Sequence, residues 1–494
     1  MKTAYFLSIL FVLSMSLFSA LGQNTGVGTS TPTQKLDVAG KIKIGDDATV
    51  PQPGTVRWNT ITNDFEGYNG TEWLSLTVNN SQPWPVGGAN GGLGLVTDFS
   101  QATGSDTKAL ERFGGCVSMS GNMAVVGCFR ARVGTTISQG AAFVFSRIGG
   151  NWEEIAKLTA SDGAFEDFFG ASVSISNNYI IVGAPYLDKG GGLNEGSAYI
   201  FAYASGVWTQ QAQLLASDGG VNDLFGSEVA ISGITAIIGA PNKTISGRAK
   251  QGAAYIFVRS GTTWSESTRL IASDGAADDN FGSSVSISGS TVVVGAPNAD
   301  ISGKVDQGAA YIFSKPSFLW FQDQKIIASD GLRNDSYGSS VAISGNYIVI
   351  GAPFGDVGFD TDHGSVYIYF KNGITWESQG ELNALDYVDN LRFGAKVAIS
   401  GNYIVVGASM ADVVVTAPCV IPINMATEAG RTFFYKLQNN IWTLYNSITD
   451  ANVQRAALFG SAVAVSGEYF ASTSAGATIN GAAAQGKVIF GRLH

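Results

Sequence analysis

An aromatic–glycine pair returns along this chain at a fixed interval, and that interval constrains the fold more than any other feature. The pairs are Phe113-Gly114, Phe169-Gly170, Phe225-Gly226, Phe281-Gly282, Tyr337-Gly338, Phe393-Gly394 and Phe459-Gly460; the first six are spaced by 56 residues and the last interval is 66. Fourteen residues after the aromatic, a glycine opens Gly-Ala-Pro in four copies, at Gly183, Gly239, Gly295 and Gly351. The other copies are degenerate: Gly127-Cys128-Phe129, Gly407-Ala408-Ser409 and Thr473-Ser474-Ala475. Twenty-seven residues after the aromatic, a further glycine begins "GAAFVF", "GSAYIF", "GAAYIF" and their variants. In the sixth copy that glycine is Gly430, ten residues late, so ten extra residues lie between Ser409 and Gly430. Self-similarity at such a period marks a repeat architecture.

Each copy reads as four strands. "SSVSIS" alternates, "TVVVGAP" is a nearly continuous apolar run, "GAAYIF" is a third strand, and a fourth starts at a Trp. A Ser-Gly pair between the first two strands signals a tight hairpin. A four-stranded sheet cannot bury both faces alone, but radially packed copies can. The expected fold is therefore all-β: a seven-bladed β-propeller of four-stranded antiparallel blades. The Trp lies 17 residues before the next aromatic in six places, Trp152, Trp208, Trp264, Trp320, Trp376 and Trp442, whereas the seventh copy stops at "KVIFGRLH". Its missing strand is expected from residues 93–98, where Val96 takes the Trp offset and Asp106 the acidic one. Such closure removes the sheet edges.

The remaining segments have other signatures. Residues 1–22, "MKTAYFLSILFVLSMSLFSALG", have one Lys, an apolar run and small residues, the pattern of a secretory signal peptide cleaved near residue 22. No later apolar run approaches the length of a membrane span. Residues 23–78 read as a small β head with an Asn69-Gly70 turn, residues 79–92 as a Pro/Gly linker, and residues 93–494 as the ring. Lys and Arg number 29 against 39 Asp and Glu, a net charge of −10; losing Lys2 with the leader makes it 28 against 39, or −11. Such a chain is a poor partner for nucleic acid. Cys116 and Cys128 sit on the two strands of one hairpin, and both a disulfide and two free thiols remain open; Cys419 is left over.

The Phe-Gly…Gly-Ala-Pro phrase resembles the FG-GAP repeats of integrin alpha-subunit propellers and of many secreted bacterial proteins, over about 400 of the 494 residues. The head resembles modules of phage tail fibres and of Bacteroidetes surface proteins. The resemblance implies extracellular adhesion or ligand binding rather than one chemistry. Calcium-binding members carry an acidic loop between the Phe-Gly and Gly-Ala-Pro strands. Here that place holds short turns such as "ISGST", "ISGNY" and "ISNNY", so that function is not carried over.

Two sets of positions are candidates for function. Asp106, Asp162, Asp218, Asp274, Asp330 and Asp386 lie seven before the aromatic; Glu111, Asp167, Asp223, Asp279 and Asp335 lie two before it. They could form a carboxylate ring for cations, but six-fold repetition favours a scaffold role in which the Asp of Ser-Asp-Gly accepts bonds from its own loop's backbone. The loops after Gly-Ala-Pro differ in every blade and are freer to bind. In blade 5, Asp356, Asp360 and Asp362 are the one cluster resembling a cation site, so calcium is the only cofactor left open. Asp188, Lys243, Arg248, Lys250, Asp300 and Lys304 are candidate partner contacts in the corresponding loops. The insertion in copy six, with Val414, Ile421 and Met425, is either a contact patch or an added hairpin. The repeated Trp residues read as packing between blades rather than as sugar platforms.

Enzyme chemistry finds little support. The only histidines are His363 and His494, and no acid is seen to break the repeat at the propeller centre. The reading is a secreted or cell-surface, non-enzymatic binding protein that contacts a protein or glycan through variable loops on one face. The alternatives are a structural display scaffold and a polysaccharide hydrolase or lyase.

Overall fold

The computed structural model describes strand residues 25–27, 36–38, 56–59, 64–68 and 73–75, and residues 96–494 apart from 190–191, 358–360, 385–389, 416–423 and 451–453. The leader, the linker, Asp360, Asp386, Cys419 and Ile421 lie outside the described residues. The chain divides into two units, Met1–Trp84 and Pro85–His494. In the first, Thr25–Val27 pairs in parallel with Leu36–Val38, and Val56–Asn59, Asp64–Tyr68 and Trp73–Ser75 form an antiparallel meander.

The second unit is the seven-bladed ring. Blade 4 shows the plan: Ser284–Ser288, Thr291–Ala296, Ala309–Ser314 and Phe321–Ile326 follow one another as an antiparallel sheet, first strand innermost. Trp320, expected to open the fourth strand, immediately precedes it here. The seventh blade takes its fourth strand from Val96–Ala102, antiparallel to Lys487–Leu493, with Leu493 opposite Val96 and Val488 opposite Ala102. The donated strand thus runs further than residue 98, as far as Ala102.

The repeated residues are those that hold blade to blade. Each aromatic of the Phe-Gly pair is buried, and in blades 1–4 and 6 it packs edge-on against the two aromatics of its own third strand; Phe281 lies 5.5 Å from Tyr311 and 6.0 Å from Phe313. Where blade 5 has Tyr337 instead, the third strand has Tyr369, and the Tyr337 hydroxyl donates to the Tyr369 hydroxyl at 3.1 Å. A Cβ on Gly183 would fall into the carbonyl of Gly226 in the next blade, so Gly-Ala-Pro begins with glycine because two backbones meet there. The degenerate phrase of blade 7 has Thr473 at this place, with its hydroxyl turned to Ala462 N–H at 3.0 Å.

Closure is also visible at the inner hairpins. Ser120 accepts the N–H of Asn177, Ser176 that of Gly233, Ser232 that of Gly289, and Ser288 that of Gly345. Ser344 accepts from Gly401, Ser400 from Gly467, and Ser466 from Gly121 back in blade 1. Seven serines and seven amides therefore form one closed circuit at 2.9–3.3 Å. The Trp residues do pack between blades: Trp152 stacks on Phe490 at 4.5 Å, and Trp264 meets Tyr179 edge-on.

Both cysteines of blade 1 are free. Cys116 is directly opposite Gly127, so Cys128, one residue on, projects from the other face of the sheet, and the two thiols cannot approach. Cys116 donates to Gly170 O and Cys128 to Glu111 O.

Candidate functional site

The two acids of each connecting loop have different tasks, and the expected one is corrected. The Asp seven before the aromatic does not chiefly bind its own loop. Its partners are side chains of the blade it enters: Tyr199 donates to Asp162 at 2.7 Å, Tyr255 to Asp218 at 2.6 Å, Tyr311 to Asp274 at 2.9 Å and Tyr367 to Asp330 at 3.0 Å. A fourth-strand side chain completes the clasp, Gln213 on Asp162, Arg269 on Asp218 and Lys325 on Asp274. Burial raises the Asp274 carboxyl, but the Lys325 and Tyr311 hydrogen bonds outweigh it and bring it below its ordinary range. Loop closure falls to the second acid. Asp167, Asp223, Asp279 and Asp335 are buried and accept the N–H three residues earlier at 2.6–2.7 Å. For Asp279 burial wins over that bond and raises the carboxyl.

Several expected partner contacts belong to the scaffold as well. Asp188, Asp300 and Asp356 accept the N–H six residues on, from Asn194, Asp306 and Asp362, and so close the variable loop itself. Asp412 does the same for Glu428 across the longer loop. Lys243 is buried, with its ammonium 2.8 Å from Asp223 and also on the Asp218 carbonyl. Arg248 and Lys304 donate to the carbonyls of Gly275 and Gly331 in the following loops, leaving Lys250 exposed. Among the described residues no group of three or more His, Cys, Asp or Glu is placed to hold a metal. The insertion of copy six includes a short hairpin, Val413–Val415 against Asn424–Ala426, with Val414 opposite Met425.

What the loop end of the ring presents to solvent is a set of residues that differ at two equivalent positions, one before the aromatic and seventeen after it. In blades 1 and 2, Phe168 lies edge-on to Phe129 at 5.7 Å and to Tyr186 at 5.1 Å, with Arg130 over Phe129. Tyr186 is 41% exposed. In blades 3 and 4 the same positions hold a chain of amides, Asn298 donating to Asn280, which donates to Asn242. At blades 5 and 6, Arg392 lies 4.9 Å over Phe354. One backbone plan thus displays aromatic, amide and cationic surfaces in turn.

The ring axis holds a second departure, which corrects the expectation that no acid breaks the repeat there. Three residues after each aromatic, the inner strands carry Cys116, Ser172, Glu228, Ser284, Ser340, Lys396 and Ala462. All but Ser172 line a central cavity of about 120 Å³, with valines between them. Lys396 Nζ and Glu228 Oε2 are 3.9 Å apart across it. Burial pushes the Glu228 carboxyl up, and Lys396 offsets part of that. Burial, with Glu228 adding to it, raises the Cys116 thiol to about 12, so it stays neutral. With the copies stacked on the aromatic, this inner-strand position is legible in the sequence as the one that changes from Ser to Glu to Lys between blades. His363 is wholly buried, its Nδ1 3.2 Å from Gly364 O.

Comparison with known families gives six successive matches to the model described as FG-GAP repeat, at residues 96–145, 152–201, 208–257, 264–313, 320–369 and 376–416. The matches begin at the donated strand, one strand ahead of the blades as the sheets divide them. No curated protein matches the chain.

Proposed function

The chain belongs to the FG-GAP repeat family, and from that premise we propose that it is a secreted, non-enzymatic binding protein that recognises a protein or glycan with the loop end of its propeller. One observation carries this reading. The positions just before the aromatic and seventeen after it change from aromatic to amide to cationic around the ring, while the aromatic between them is kept for packing. Exposed aromatic rings beside Arg and amide donors supply contact area and orientation together, the mix that dominates recognition surfaces. The absence of a membrane-spanning helix among the described residues accords with an extracellular protein, as does the leader-like N-terminus.

The test is a glycan array and a pull-down from extracellular extracts with the full chain, repeated with Phe168→Ala and Tyr186→Ala. Specific binding that weakens at least ~10-fold in these variants, and not in Ile374→Ser on the opposite hairpin end, is expected. Binding unaffected by either loop-end change would sink the proposal.

A further inference from the structure

The axial cavity carries an inference that does not depend on the loop end. Its neutral polar groups are already used by the scaffold. Ser284 donates to Gly338 O at 2.6 Å, Ser340 accepts the Val397 N–H at 3.0 Å, and Cys116 donates to Gly170 O. Glu228 and Lys396 differ. Among the described residues their side-chain charges have only each other, and at 3.9 Å they are beyond the ~2.7–2.9 Å of a charge-assisted hydrogen bond. Their side chains keep 29% and 43% of their surface, and both line the cavity.

A charged pair drawn out of bulk water is costly unless its remaining donors and acceptors are filled. Serine, which three other blades carry at this place, would avoid that cost. The two charges come from blades 3 and 6 and meet at the axis, so a molecule lying beside the pair meets an anion at one end and a cation at the other. A single anion or a single cation would satisfy one charge and leave the other unpaired. A small molecule bearing both charges satisfies the two together. Size narrows the choice: an apolar cavity of ~150 Å³ accepts benzene, so about 120 Å³ suits a ligand of five or six non-hydrogen atoms.

We infer that the axial cavity binds a small zwitterion of the α-amino-acid class, of glycine or alanine size, with its ammonium on Glu228 and its carboxylate on Lys396. A volume of about 120 Å³ matches a hydrogen or a methyl group as the ligand's side chain, and the neutral Cys116 thiol adds no competing charge.

The experiment is titration of the full chain with glycine and L-alanine by calorimetry and thermal unfolding, with acetate, methylammonium and L-phenylalanine as comparison probes. Glycine or alanine is expected to give saturable heat and to raise the melting temperature by about 2–4 °C at concentrations far above Kd. The three comparison probes should give neither. The double variant Glu228→Ser/Lys396→Ser uses the residue native to neighbouring blades, so it keeps the fold while losing the response. Phe168→Ala should retain the response, which separates this site from the loop-end surface. Silence towards both amino acids up to about 10 mM, well above a millimolar Kd, would overturn the inference, leaving water between the two charges. So would a response that survives in the double variant or is matched by acetate.

Discussion

Two charged pairs interrupt this repeat at places where other blades carry small residues, and they are built in opposite ways. At the seam, Lys487 replaces the Ala or Ser of most third strands, and Asp450 replaces the Ala found two residues beyond the end of most other fourth strands, as Ala272 is beyond Leu270. They meet at 2.7 Å with 1% and 2% of their side-chain surface exposed, and Lys487 also reaches Gln101 on the donated strand. At the axis, Lys396 and Glu228 stand 3.9 Å apart and face a cavity. The seam pair meets at hydrogen-bond distance, shut away from water, and pins three separately delivered segments where the ring is joined. The axial pair is left open. A departure from the repeat is thus not by itself a sign of function; how closely the two charges meet and how far they are shut away from water is what separates a pin from a site.

The largest effect should come from breaking the seam. Lys487→Met takes the ammonium away from the buried Asp450 carboxylate, and truncating one member of such a pair costs about 3–5 kcal/mol. Equilibrium unfolding should show that loss, with the blade-7 strands exchanging their amides early. The double change Lys487→Ala/Asp450→Ala restores the residues found at both places in blade 4, Ala309 and Ala328, and should recover most of the stability. If the single change costs under about 1 kcal/mol, the pin is not one.

Most of the ring was legible in the sequence because its determinants are local and repeated. Phe281, Gly295 and Gly308 fix three contacts whose spacing survives in every regular copy, and Val96 at the Trp offset gave the donated strand. The departures were harder. Asp162 and Asp167 look alike in a loop sequence, and only the fold places a Tyr hydroxyl from 37 residues away on one of them. Lys243 reads as a surface charge until Asp223 is brought against it. Glu228 and Lys396 are 168 residues apart, so nothing local announces that they share a cavity. What sequence supplies is the list of odd residues; which odd residues meet is decided by the ring.

A smaller effect sharpens the contrast from the axial side. Without ligand, Glu228→Ser/Lys396→Ser should leave the melting temperature within about 2 °C of the parent, because replacing both members of an imperfectly bonded pair is near neutral or stabilising. Ser288→Ala, which opens one link of the serine–amide circuit, is the reference, with an expected cost of about 1 kcal/mol. An axial double variant markedly less stable than Ser288→Ala would mean that the axial charges, too, hold the ring.

The smallest effect concerns a third pair, Lys325–Asp274, held at 2.6 Å but with half of the Asp274 side chain exposed. Exposed pairs contribute under about 1 kcal/mol, so its signature is in pH rather than in size. The folded state holds Asp274 below its ordinary range, so its contribution is present above the unfolded pKa and is lost as pH falls through the folded one. The stability gap between the parent and Asp274→Asn should therefore be open at pH 7 and close below about pH 4. Asp279 runs the other way, since burial raises it: its contribution is complete below the unfolded pKa and declines as pH rises through the folded value. The gap for Asp279→Asn should accordingly be wider at pH 3 than at pH 7. Unfolding curves for the two variants across that range give slopes of opposite sign if the loop's acids divide the work as described. Parallel slopes would mean that the two carboxylates share one environment, and that exposure does not separate the clasp from the loop closure.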